Sequence, residues 1–434
     1  MTDNRTDSPS RREFLQTAAV ASAALAVPPG LFAAGSDLIR VGLVGCGGRG
    51  TGAAADCLRG SEGVELVALG DLVPDRLQQC RAELTKAAKQ NAAFAAKYKV
   101  TDERCFSGFD AYEKVIGSGI DLVILATPPG FRPAHLAAAV AAGLHIFTEK
   151  PIAVDSAGVR SVLASYEVSR QKRLGIVAGT QRRHQAEYLA TIARIHDGAI
   201  GEVTSGQVFW NQGGLWNKER QPDWTDTEWQ IRNWLYFTWL SGDHIVEQHV
   251  HNIDVANWVL RDHPVKATGV GGRQWRTGPE FGHIYDHFAI DFEYPSGARV
   301  TSMCRQIAQT RGKVGENFIG SKGRSNAAGE IVGAKPWTFT PPDRKVSPYV
   351  QEHTDLVASI RAGKPLNELK QVAETTLTAI MGREAAYTGQ EITWDEILKA
   401  DQVLAPPQIA FGKLDVPAIP MPGRTTLNRK WNEV

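Results

Sequence analysis

The sequence predicts an α/β fold in two parts: a doubly wound parallel sheet first, then an α+β region built on a large, open, mostly antiparallel sheet. Three observations carry this. A short apolar run, Leu38 to Val44, leads straight into Gly45-Cys46-Gly47-Gly48-Arg49-Gly50, a match to G-x-G-x-x-G. Further short apolar runs alternate with helical patterns as far as residue 150, as βαβ units do. Beyond them the runs lengthen and alternate polar with apolar, the mark of half-buried antiparallel strands. The first part is therefore of Rossmann type.

Each glycine of the loop has its own task. Gly45 allows the tight turn, Gly47 lets the backbone approach a pyrophosphate, and Gly50 lets the next helix sit close to the strand. Gly48 and Arg49 complete the expected phosphate-binding set, at a helix start whose free N–H groups and dipole favour anions. A second run, Val64 to Leu69, ends in Gly70-Asp71. Asp71 follows Gly50 at about the 20-residue spacing of the acid that binds an adenosine ribose, and its charge favours NAD over NADP. The alternative is a helix-capping Asp before Val73-Pro74. Residues 81–100 read as an extended surface helix. Asp121 to Ala126 reads as a strand running into Thr127-Pro128-Pro129, with a helix from about Pro133 to Ala142. His145-Ile146-Phe147 then delivers Thr148-Glu149-Lys150-Pro151. Ligands bind beyond the carboxyl ends of parallel strands, so Thr127, Pro128, Glu149 and Lys150 join the cofactor set. Lys150 is also placed to reach nicotinamide and substrate.

The second part has expected strands at 174–178, 203–210, 267–271, 288–294 and 298–304, and helices at 185–196, 349–362 and 368–387. Arg182, Arg183 and His184 follow the first of these strands. Arg183 and His184 are substrate candidates, with salt-bridged scaffolding the competing reading for the arginines. Six tryptophans (Trp210, Trp216, Trp224, Trp229, Trp234, Trp239) crowd one segment. Burial is expected for most of them. Trp216, beside Gly213-Gly214, is the candidate for stacking on a sugar face.

Through Glu149-Lys150-Pro151 the chain resembles the Gfo/Idh/MocA oxidoreductases, named after glucose–fructose oxidoreductase and inositol dehydrogenase. The resemblance covers about residues 38–400. It rests on the glycine loop, Asp71, Ala126-Thr127-Pro128-Pro129, the Glu-Lys-Pro triplet and an acid-x-x-x-His pattern at Glu247 and His251. It implies an NAD-dependent oxidoreductase acting on a sugar, polyol or glycoside hydroxyl, as a homodimer or homotetramer. Lys150 would sit near the reacting hydroxyl and His251 would be the general acid/base. Glu247 stands where the family usually has Asp, and Gly242-Asp243 where it has a glycine pair. On a helix, Glu247 and His251 share one face at i, i+4. Two rivals are an NAD-dependent glycosidase working by oxidation, elimination and reduction, and a non-enzymatic exported sugar-binding protein. His244, His249 and His251 raise a metal site, but they lack His-Glu-x-x-His spacing and no metal is expected.

Composition sets the remaining bounds. The chain has 434 residues, 43% hydrophobic and 22% charged, with a formal charge of +1. Nothing in it forms a basic stripe or a polyacidic run, so no nucleic acid or anionic membrane partner is expected. The five cysteines show no disulfide or zinc spacing. Ser10-Arg11-Arg12-Glu13-Phe14-Leu15-Gln16 resembles the twin-arginine export consensus. The apolar run Thr17 to Val27 is too short, at ~1.5 Å per residue, for a stable span of a bilayer core of ~30 Å. The expected organisation is a signal at 1–36, an NAD-binding domain at 37–155, a substrate and oligomerisation domain at 156–400, and a tail at 401–434 packing on the body. Export by the twin-arginine machinery to the periplasm follows. A compartment short of free NAD then favours tightly held nucleotide, regenerated within each cycle.

Overall fold

A computed structural model describes residues 38–434 apart from Arg344, Asn432 and Val434, so the export motif lies outside the described residues. The apolar runs of the first part become β1 (Ile39–Val44), β2 (Val64–Asp71), β3 (Cys105–Ser107), β4 (Leu122–Leu125), β5 (His145–Thr148) and β6 (Ile176–Ala178). They form one parallel sheet in the order β3-β2-β1-β4-β5-β6. The order reverses between β1 and β4, which opens a crevice beyond their carboxyl ends. The run at 174–178, expected in the second part, is β6, the edge strand beside β5. Its backbone pairs with a strand that sequence alone does not point to. The helix expected at 81–100 is two helices, Pro74–Gln90 and Ala92–Lys97. They part at Asn91, whose side chain accepts from Phe94 N at 3.0 Å and starts the second.

The second sheet has nine strands: β7 (Val203–Gln212), β8 (Lys266–Gly272), β9 (His287–Glu293), β10 (Arg299–Gln306), β11 (Lys313–Gly320), β12 (Gly323–Ser325), β13 (Glu330–Gly333), β14 (Trp337–Thr338) and β15 (Ile392–Thr393). Their order is β14-β13-β12-β11-β7-β10-β9-β8-β15, antiparallel except for β7 with β10. Alternation is clear in β9, where Phe288, Ile290 and Phe292 are buried and their neighbours half-buried. The helix Leu369–Thr388, buried along most of its length, packs against β8 and the helix Ser156–Gln171, tying the two sheets together. Among the described residues no helix is long and apolar enough to cross a membrane.

Candidate active site

The glycine loop is built as its spacing demands. Gly45 has φ +98°, and a Cβ there would lie 2.6 Å from the Thr127 nitrogen. On Gly50 a Cβ would come within 1.8 Å of the Gly45 carbonyl oxygen. On Gly47 or Gly48 it would meet nothing within 4 Å, which leaves room for a phosphate against the backbone. Asp71, at the end of β2, accepts from Cys46 N at 2.6 Å and Val73 N at 2.8 Å, so it braces both the loop and the next helix. Burial raises its carboxyl above the ordinary value, against the pull of those two donors.

A cavity of about 540 Å³ runs from this loop to the second part of the chain. Gly45, Gly47, Gly48, Arg49, Gly50, Asp71, Thr127, Pro128, Glu149, Lys150, Glu247 and Trp216 all line it. Arg132, only 1% exposed, shapes its floor by donating to the carbonyls of Thr127 and Glu149. Burial lowers Arg132 to about 10, so it remains a cation at neutral pH. Arg49 pairs with Glu149 and lies 3.5 Å from Glu352 of the helix Pro348–Arg361. Burial and the nearby Glu149 raise Glu352 well above the usual carboxylate range.

At the other end, the Lys150 ammonium donates to the Glu247 carbonyl at 2.7 Å and lies 3.4 Å from its Oε1. Glu247 Oε2 is buried without a hydrogen-bond partner. Glu247 and His251 do not share one continuous helix. The short helix His244–Glu247 ends before Gln248 and His249, and Val250–Leu260 begins after them. His251 does not line the cavity. Its ring stacks on Trp210 at 5.7 Å between centroids, and its Nδ1 is buried without a partner. Burial, then the charges of Lys150, Arg182 and Arg49, hold it well below 6.5, so it is neutral. Arg182 is anchored by Glu316 of β11 at 2.7 Å and lies over the Trp210 ring.

Two substrate candidates stand apart from the cavity. Arg183 makes a two-pronged pair with Asp254 at 2.8 and 3.0 Å and lies over Trp258. His184 is 2.6 Å from Asp355 and 3.2 Å from Glu368. Their polar groups are engaged by scaffold carboxylates. The tryptophans are also less buried than expected. Trp239 is 1% exposed, Trp216 is 42% exposed, and the other four are half-buried. Lys218 and Arg232 also line the cavity, and neither they nor Arg132 carry a motif that marks them, while Asp243 is marked only by standing in a glycine position. The five cysteines are free thiols. Among the described residues no group of three or more His, Cys, Asp or Glu could hold a metal ion.

Open space against the backbone of a glycine loop, with an acid at the end of the neighbouring strand, defines a Rossmann-type dinucleotide-binding protein. Residues 39–176 match the oxidoreductase family model with NAD-binding Rossmann fold, and residues 188–325 match the GFO/IDH/MocA C-terminal domain. The chain belongs to the Gfo/Idh/MocA oxidoreductase family, and its first domain is an NAD-binding domain.

Inositol 2-dehydrogenase 3 of Saccharopolyspora erythraea is 28% identical over 263 residues, 60% of this chain and 65% of that one. The 2,7-anhydro-N-acetylneuraminate hydratase of Escherichia coli is 27% identical over 42% of this chain and 45% of its own length. The chain thus spans less than two thirds of either relative. The fold is shared with an aldose-aldose oxidoreductase from Caulobacter crescentus (TM-score 0.63, 18% identity, 82% of this chain and 99% of that one). It is also shared with a scyllo-inositol dehydrogenase from Lactobacillus casei (TM-score 0.61, 19% identity, 82% and 99%).

Proposed function

We propose that this protein transfers hydride from a hydroxyl-bearing carbon of a sugar, polyol or glycoside, or to the corresponding carbonyl carbon. It does so with NAD held tightly, after twin-arginine export to the periplasm, as a homodimer or homotetramer. One observation carries the catalytic reading: Lys150 and Glu247 meet at 3.4 Å on the wall of the cavity that the glycine loop opens. The family relatives named as inositol dehydrogenases support the polyol class. Gly47, Gly48 and the helix start behind them would hold the pyrophosphate, and Asp71 the adenosine ribose.

When bound, NAD supplies the two-electron redox chemistry. The chain does the rest. By the family resemblance the hydroxyl proton goes to His251, which burial and neighbouring cations keep neutral. His251 stands behind the cavity lining, so the substrate must reach past Lys150 and Glu247 to meet it. The Lys150 ammonium, fixed by the Glu247 carbonyl, stabilises the developing alkoxide. Trp216, exposed on the cavity wall, gives a sugar an apolar face. A second reading, glycoside cleavage through transient oxidation, elimination and reduction, draws support from the relative named as a hydratase and not as a dehydrogenase.

The test is to purify the exported protein, denature it and count the nucleotide released per chain. Intact protein is then assayed on myo-inositol, aldoses and aryl glycosides without added NAD. Near-stoichiometric nucleotide with sustained turnover supports the closed cycle, and the products separate net redox from cleavage. Empty protein that works only with added NAD overturns tight binding. Protein that neither binds nor uses NAD overturns the whole reading.

A further inference from the structure

The tryptophan-rich segment after β7 faces the nucleotide loop across the cavity. Trp216, Lys218, Ile231, Arg232 and Trp234 line the same space as Gly45–Thr51 and Asp71. The segment is joined to the first domain at one polar point. Arg232 grips Asp75 with two hydrogen bonds, Nη1 to Oδ2 at 3.0 Å and Nη2 to Oδ1 at 2.9 Å. Asp75 opens the helix that follows Asp71, and its neighbour Arg76 donates to the Arg232 carbonyl at 3.3 Å. Beneath this, Leu72 and Phe131 of the first domain pack on the cluster containing Ile231, Leu235 and Trp239.

The segment is also braced from behind. Thr227 N donates to Gly412 O at 3.2 Å, Gln230 Nε2 to Leu414 O at 3.0 Å, and Leu414 N to Asp226 Oδ2 at 3.2 Å. Leu404, Ile409 and Trp431 of the C-terminal tail join the same apolar cluster. The backing joins hydrogen bonds to apolar packing, and the front has apolar packing by Leu72 and Phe131 with an ion pair at its rim whose Asp75 side chain is 63% exposed. Water and salt can reach that contact, so it is the part of the closure that opens most readily.

We propose that residues 215–234 form the second wall of the NAD site, latched by Asp75–Arg232, and that nucleotide leaves when this latch opens. The inference rests on the NAD reading and assigns Lys218, Arg232 and Trp234 to the nucleotide site. It accounts for retention by a physical barrier, which the glycine loop alone does not supply.

The experiment loads the full chain with NADH, dilutes it into excess NAD and follows the loss of bound-NADH fluorescence. Asp75→Ala, Arg232→Ala and the double variant are compared with the parent. Each single variant is expected to release NADH about fivefold faster, the scale of a partly exposed two-pronged pair. The double variant should also be about fivefold faster, because both changes break one contact. Release rates equal to the parent's, or effects that multiply in the double variant, overturn the latch. If Arg232→Ala does not fold, the exposed Asp75→Ala decides alone. Slow release by parent and variants alike removes the latch and keeps tight binding. Fast release by the parent, faster still in the variants, removes tight binding and keeps the latch. No NADH binding by any of them overturns both.

Discussion

The glycine loop at Gly45–Gly50 and the turn at Ser241–Glu247 each bring a helix to one cavity, the first by its start and the second by its last residue, Glu247, and they do so by opposite means. In the loop, the difficult backbone angle falls on Gly45, φ +98°, where no side chain resists it. In the turn, Gly242 at φ +79° is followed by Asp243 at φ +72°, a left-handed conformation that disfavours every residue but glycine. Asp243 stays there because its carboxylate is surrounded. Oδ1 accepts from His244 N at 2.5 Å and His244 Nδ1 at 2.9 Å. Oδ2 accepts from Tyr285 N at 2.8 Å and Tyr387 OH at 2.5 Å. Burial opposes the charge, but these donors hold its pKa below the ordinary value. One end of the site is made by removing side chains, the other by over-determining one.

The strongest way to break this comparison is at the loop. Gly50→Ala drives a Cβ into the Gly45 carbonyl and is expected to destabilise the chain by about 3 kcal/mol. Gly47→Ala meets no protein atom within 4 Å, so it should weaken NAD binding and leave the melting temperature of the nucleotide-free protein unchanged. Calorimetry and nucleotide counting separate the two. If both variants melt alike, the loop does not pack as described.

Next comes His251. His251→Asn should lower turnover about 100-fold, the scale of a lost general base, with nucleotide content intact. In the parent the base is depressed, so activity is retained above its folded pKa and falls only as pH drops well below 6.5. An acid limb centred at or above 6.5 in kcat/KM would assign the base elsewhere.

Asp243 sharpens the comparison further. Asp243→Ala and Asp243→Gly lose the same hydrogen bonds, but only glycine relaxes the backbone. Urea unfolding should find the glycine variant more stable by about 1 kcal/mol. Equal stabilities would mean that the turn stores no strain.

The smallest effect concerns His184, near the end of β6. Burial disfavours its charge, yet Asp355 and Glu368 outweigh that and push it up to about 10. A raised histidine adds stability that is complete below its unfolded value near 6.5 and is lost as pH rises through about 10. Denaturant midpoints should therefore fall between those limits, and the fall should flatten in His184→Gln.

Much of the nucleotide end was legible in the sequence. Gly45, Gly47, Gly50 and Asp71 depend on local backbone geometry and on spacing along consecutive strands, and both are written in order along the chain. The strands β7 to β10 showed themselves by period-two alternation for the same local reason. The end of the cavity at Lys150 and Glu247 was only half legible. Lys150 and Glu247 were named separately, but their contact joins residues 97 apart, and the break at Gln248–His249 removes the single helical face that spacing implied. Arg183 and His184 were both substrate candidates, with salt-bridged scaffolding the competing reading for the arginine. Their partners stand 71 and 171 residues away.

The sequence by itself determined which backbone positions must be bare and which segments form helix or strand, because those follow from neighbours a few residues away. The tertiary structure decided which charges were already engaged, that β6 completes the first sheet, and that a tryptophan-rich segment lines the cavity at the glycine loop. Those outcomes depend on partners brought together only by folding, and no local pattern records them.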